Sequence, residues 1–84
     1  GLLFKRGSVV LSLRGRDGKR LMAVLDVQDD RVLVADGRLR PIEKPKRKNP
    51  RHLKLTGATV DESSMASNRE LRRALSQLDL PQQQ

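Results

Sequence analysis

Three short runs of Val and Leu, each closed by turn residues, decide what the rest of the chain must do. They are Ser8-Val9-Val10-Leu11-Ser12-Leu13, Leu21-Met22-Ala23-Val24-Leu25-Asp26-Val27 and Arg31-Val32-Leu33-Val34-Ala35. Short, Val-rich and bounded by Gly, Gln and Asp, they read as β-strands. In the first, Val9, Leu11 and Leu13 alternate with Ser8, Val10 and Ser12. In the second, Ala23, Leu25 and Val27 face one way and Met22, Val24 and Asp26 the other. One face is wholly apolar and the other mixed, which suits a strand curving over a small core. Gln28-Asp29-Asp30 supplies one turn. Asp36-Gly37 predicts a two-residue type I′ turn, after which Leu39-Arg40-Pro41-Ile42-Glu43 pairs back on the third strand. Pro41 has no N–H, so that strand belongs at an edge or a bulge. His52-Leu53-Lys54-Leu55-Thr56 alternates again and reads as a last short strand ended by Gly57, with Phe4 a candidate plug near one end. This spacing predicts a small barrel or sandwich.

With 84 residues the chain makes one small domain, burying roughly 60–65% of the surface its unfolded form exposes. It has no cysteine, so neither disulfides nor thiolate metal sites brace it. No apolar run approaches the ~20 residues of a membrane span, and no secretory leader is visible. A reducing, cytoplasmic setting is therefore expected, with no membrane partner. The net charge of +8 and pI near 11.1 are the footprint of a polyanion binder. Phe4 is the lone aromatic residue, so stacking of unpaired bases is not the expected mode. Contacts to the phosphates and sugars of folded nucleic acid fit better.

The cations cluster. Between the first two strands, Arg14-Gly15-Arg16-Asp17-Gly18-Lys19-Arg20 places Arg14, Arg16, Lys19 and Arg20 on a loop braced by both strands. Gly15 and Gly18 admit positive φ, and Asp17 can bond its own backbone. A tip with little bulk and four cations suits close approach to phosphate. A second excess runs from Arg38 through Arg40, Lys44, Lys46, Arg47, Lys48, Arg51 and Lys54, against Glu43 alone. Its centre, residues 44–51, holds Pro45 and Pro50 and reads as an extended basic segment, neither helix nor interior strand. Nothing apolar pins it, so mobility until an anion lies against it is expected.

After a polar stretch, Ser67-Asn68-Arg69-Glu70 matches a capping box. Leu71, Ala74, Leu75 and Leu78 follow at i, i+3, i+4 and i+7, predicting a helix from Asn68 to Leu78 that Pro81 stops. So short a helix needs its leucines buried, either on the open end of the barrel over Phe4 or Leu2, or on a partner. Arg69, Arg72 and Arg73 fall largely off that face.

No catalytic chemistry is evident. His52 is the one histidine, so no cluster can hold zinc or a catalytic dyad. Asp29-Asp30 and Asp61-Glu62 are adjacent pairs in turns, whereas paired catalytic carboxylates come from separate elements lining a cleft. Gly15-Arg16-Asp17-Gly18-Lys19 lacks the first glycine and the following Ser/Thr of a phosphate-binding loop, with Leu13 and Arg20 in their places. The expectation is a non-enzyme without cofactor or metal.

The order Gly7-x-Val9-Val10-x-Ser12, Gly15-Arg16-Asp17-x-Lys19, Met22-Ala23-Val24 and Val27 resembles the KOW motif, a strand–loop–strand unit of RNA-binding proteins. The continuation Val32-Leu33-Val34-Ala35-Asp36-Gly37-x-Leu39-Arg40-x-Ile42-Glu43-Lys44-Pro45-Lys46-Arg47-Lys48, then His52-Leu53, is more specific. It resembles small bacterial KOW-domain proteins related to archaeal and eukaryotic large-subunit ribosomal proteins. The resemblance covers residues 6 to 55 and implies an SH3-like barrel that binds structured ribosomal RNA of the large subunit. It carries RNA contact to Arg14, Gly15, Arg16, Lys19 and Arg20, and to Lys44, Lys46, Arg47, Lys48, Arg51 and His52. The candidate interface also takes in Gly18, Arg38 and Arg40 from the loop and the second charge excess. The expected organisation is a mainly β chain: barrel 1–56 including basic segment 44–51, linker 57–66, helix 67–80 and tail 81–84. Leu71, Leu75 and Leu78 are candidates for meeting neighbouring ribosomal proteins. The rival expectation is a protein-docking KOW module of the transcription machinery, and a weaker third is a nonspecific DNA-compacting protein.

Overall fold

The computed structural model describes residues 3–16 and 18–78. The fold is mainly β: a five-stranded antiparallel sheet followed by one short helix. Strands β1 (Ser8–Ser12), β2 (Leu21–Gln28) and β3 (Arg31–Ala35) form where the Val and Leu runs predict them. With β4 (Lys46–Lys48) and β5 (Leu53–Thr59) they give the order β4-β3-β2-β1-β5. A 3₁₀ turn at Pro50–His52 carries the chain from one edge strand to the other. The sheet is thus barrel-like, without a closed ladder.

Both faces of the sheet are buried, which a two-layer alternation alone does not predict. Val10, Met22, Val24, Val32, Val34 and Leu53 form the inner cluster, with Phe4 packed against it. Val9, Ala23 and Ala35 lie on the other face and meet Met65, Leu71 and Leu75. Neighbours such as Val9 and Val10 therefore serve opposite cores. The β2–β3 register shifts between Val24 and Asp26. That extra residue changes the phase, so Val27 packs with Met22 and Val24 on the inner side while Asp26 is exposed.

The expected strand at Leu39–Glu43 does not form, and β4 lies further on. The Asp36 side chain is the reason. It is 5% exposed, and its Oδ1 accepts hydrogen bonds from the N–H groups of Arg38 and Arg40 at 3.0 and 2.9 Å. The N–H groups of Asp36 and Gly37 both donate to the Arg40 carbonyl. Donors needed for a ladder are thus captured locally. Pro41 has none to give, and the Ile42 N–H donates to Asn68 Oδ1 at 2.8 Å. Pairing with β3 resumes only at Lys46–Lys48, opposite Val34, Leu33 and Val32. The basic segment expected to be extended over 44–51 is so only in part: Lys46–Lys48 form an edge strand, Lys44 lies in a bend, and Pro50 and Arg51 belong to the 3₁₀ turn.

Residues 57–66 are not a loose linker. β5 runs through Thr59, and a 3₁₀ turn at Glu62–Met65 buries Met65. Arg6 ties this turn to the start of the chain: its guanidinium chelates the Glu62 carboxylate and donates to the Leu25 carbonyl. Helix α1 (Asn68–Ser76) begins as predicted, with Ser67 Oγ accepting from the Glu70 N–H at 3.2 Å. It ends before Leu78, where the Gln77 N–H donates to the carbonyls of Arg73 and Ala74. The leucine stripe lies on the outer face of the sheet rather than at a barrel end, and Phe4 belongs to the opposite core. Leu2, Pro81 and the 81–84 tail lie outside the described residues.

Candidate nucleic-acid interface

The loop between β1 and β2 is held tightly at its root. The Ser12 N–H donates to the Arg20 carbonyl at 3.0 Å, and the Lys19 N–H donates back to the Ser12 carbonyl at 2.6 Å. Gly15 takes the positive φ expected of it, 87°. Gly18 does not; the second left-handed residue is Lys19, at 65°. Gly18 matters for space instead, because a Cβ there would lie 3.2 Å from the Gly15 carbonyl oxygen. Arg14, Gly15, Arg16, Gly18 and Lys19 are all exposed, Arg20 is half-buried, and Asp17 lies outside the described residues.

Two contacts join this loop to basic residues distant in sequence. Lys48, only 7% exposed, sends its Nζ to the Arg14 carbonyl at 2.8 Å, and Ser12 Oγ donates to the same oxygen at 3.2 Å. The Leu13 N–H donates to the His52 carbonyl, setting the 3₁₀ corner with Arg51 beside the loop root. Lys48 is thus a strut, its aliphatic stem buried and its ammonium placed against backbone. On the same strand Lys46 and Arg47 are exposed, as are Lys44 before it and Arg51 after it, while His52 is half-buried. The two basic runs, 34 positions apart at Arg14 and Lys48, meet at one place.

At the other root of the loop, Arg20 Nη1 lies 3.2 Å from Asp36 Oδ2. Arg38 is exposed at the tip of the Asp36 turn and Arg40 is half-buried. Helix α1 reaches the same turn, Arg72 Nη1 donating to the Gly37 carbonyl at 2.8 Å. Arg20, Asp36, Arg38, Arg72 and Ser76 line a shallow cleft of about 260 Å³. Arg72 is the cation that the candidate residues omitted. Its helical position off the leucine face was readable, but its approach to Gly37 depends on how α1 docks. Leu71 and Leu75 are buried within the chain and Leu78 is half-buried.

Among the described residues, the Asp36 and Glu43 carboxylates near this surface are both hydrogen-bonded. Asn68 Nδ2 donates to Glu43 at 2.8 Å and holds its carboxyl below the usual range. Among the described residues no group of three His, Cys, Asp or Glu side chains could hold a metal ion, and no helix is long and apolar enough to cross a membrane. No family model matches the chain, and no curated protein is significantly similar to it.

Proposed function

We propose that this domain binds structured RNA, on or near the large ribosomal subunit, as a non-enzymatic electrostatic and structural clamp in the cytoplasm. The single observation that carries the reading is the Lys48–Arg14 contact. It uses one buried cation of the basic strand to brace the loop, leaving Arg14, Arg16 and Lys19 on the loop and Lys46 and Arg47 on the strand exposed. A braced backbone loses little conformational entropy when it meets a phosphate surface. A short cationic edge strand matches extended polyanion better than an apolar partner. The KOW resemblance over residues 6–55 points to the same class of ligand.

The test is affinity for a large-subunit ribosomal RNA fragment as a function of salt. If about six phosphates are engaged, affinity falls roughly a thousandfold between 50 and 200 mM salt. Arg16→Ala with Lys19→Ala lowers both affinity and salt slope at unchanged thermal midpoint. A flat salt response, or unchanged affinity in that variant, refutes the reading and favours protein docking.

A further inference from the structure

The cleft between the Asp36 turn and helix α1 has an arrangement that solvation of surface arginines does not require. Three arginines from three separate elements line it: Arg20 from the loop root, Arg38 from the turn and Arg72 from the helix. Asp36 is the opposing carboxylate, and its oxygens are already engaged by Arg20 and by the N–H groups of Arg38 and Arg40. Three positive charges therefore face one negative charge and the half-charge of the nearby helix C-terminus, leaving an excess of about one and a half. The donors are also incompletely used. Arg72 employs Nη1 on the Gly37 carbonyl, which fixes its guanidinium over the turn. Arg20 Nε is buried with no hydrogen-bond partner, and among the described residues the Arg38 side chain makes no hydrogen bond. An unsatisfied buried donor is costly, and a small shift of Arg20 toward an anion would satisfy it.

We propose that this cleft is a seat for one phosphate group, gripped by Arg38 and Arg72 with Arg20 behind them. At about 260 Å³ it is smaller than the usual pocket for an organic ligand. Planar guanidinium forks match phosphate oxygens in pairs. The phosphate belongs to an RNA backbone or is free in solution, and the chemistry of the seat is the same for both. The inference deepens the RNA reading by giving α1 a contact of its own. A bridged phosphate also ties the turn to the helix.

The experiment titrates inorganic phosphate into the full chain, following backbone amide NMR signals, against sodium chloride at matched ionic strength. The seat predicts saturable shifts at Gly37, Arg38, Arg72 and Ser76 with a raised thermal midpoint. Arg38→Gln weakens the binding at least about tenfold, the loss of one charge-assisted contact, without changing the midpoint in chloride. Non-saturating shifts spread over all the cations, or an undiminished response in Arg38→Gln, overturn the proposal. A second arm measures the ribosomal RNA fragment. Weakened RNA binding in Arg38→Gln and competition by phosphate assign the seat to the RNA backbone, while intact RNA binding assigns it to free phosphate. Because the phosphate titration needs no RNA, failure of the unaltered chain to bind the RNA fragment would refute the RNA reading and leave the seat standing.

Discussion

Replacing Gly37 with alanine tests how the helix is held to the sheet. Gly37 sits at φ 77°, and a Cβ there would overlap the Asn68 carbonyl oxygen and lie 3.2 Å from Arg72 Cγ. The left-handed backbone alone costs alanine about 1–2 kcal/mol. The overlap adds more, because the obstacle is the backbone of the first helical residue rather than a flexible side-chain tip. If α1 were forced off entirely, Leu71 and Leu75 would be exposed, at about 1.5–3 kcal/mol each. Partial displacement should place Gly37→Ala about 3 kcal/mol or more below the parent, a large share of a small domain's stability. Gly57 is the control: it sits at φ 88° and a Cβ there would meet nothing within 4 Å, so Gly57→Ala carries the backbone term alone. Urea unfolding followed by circular dichroism measures both, and a reduced denaturant slope in Gly37→Ala would report a helix already undocked. Equal losses in the two variants would refute the steric coupling of turn to helix.

Lys48→Met should keep the buried stem but lose the bond to Arg14, costing about 1–2 kcal/mol and speeding hydrogen exchange of the loop amides; unchanged exchange would remove the strut. Ser67→Ala should cost about 1 kcal/mol through loss of the helix cap, read as a lower urea midpoint. The Glu62 carboxyl is held below its usual range, chiefly by its hydrogen bonds from Arg6. A carboxyl depressed in the folded state contributes stability above its unfolded pKa of about 4.3 and loses it as pH falls through the lower folded value. The thermal midpoint should therefore drop on acidification below about pH 4.3, and less steeply in Glu62→Gln. Equal slopes would show that this exposed pair is thermodynamically silent.

The first three strands and the start of the helix were legible because each rests on local chemistry: Val-rich runs between turn residues, and Ser67 three positions before Glu70. What failed was pairing decided at a distance. Asp36-Gly37 carries a strong hairpin signal, yet the Asp36 carboxylate takes the N–H groups of Arg38 and Arg40, and Asn68 takes that of Ile42. The last of these contacts spans 26 positions and has no sequence signature. Lys48 was readable as a cation but not as a buried one, since its burial depends on where the Arg14 carbonyl comes to lie. The glycine loop was half legible: Gly15 behaves as its type allows, whereas the second left-handed position falls on Lys19.

The cationic strand β4 lies at one edge of the sheet. Such an edge is a template for a second copy of the chain, and positive charge is what keeps two identical edges apart. Lys46 and Arg47, both exposed, put positive charge on that edge and so disfavour its pairing with an identical one. A polyanion laid along them cancels that repulsion and, by gathering many copies on one strand, raises their local concentration as well. If the proposed RNA reading holds, resistance to self-association and ligand binding draw on the same two side chains, so a variant that neutralises them to weaken binding would also open the edge to self-association.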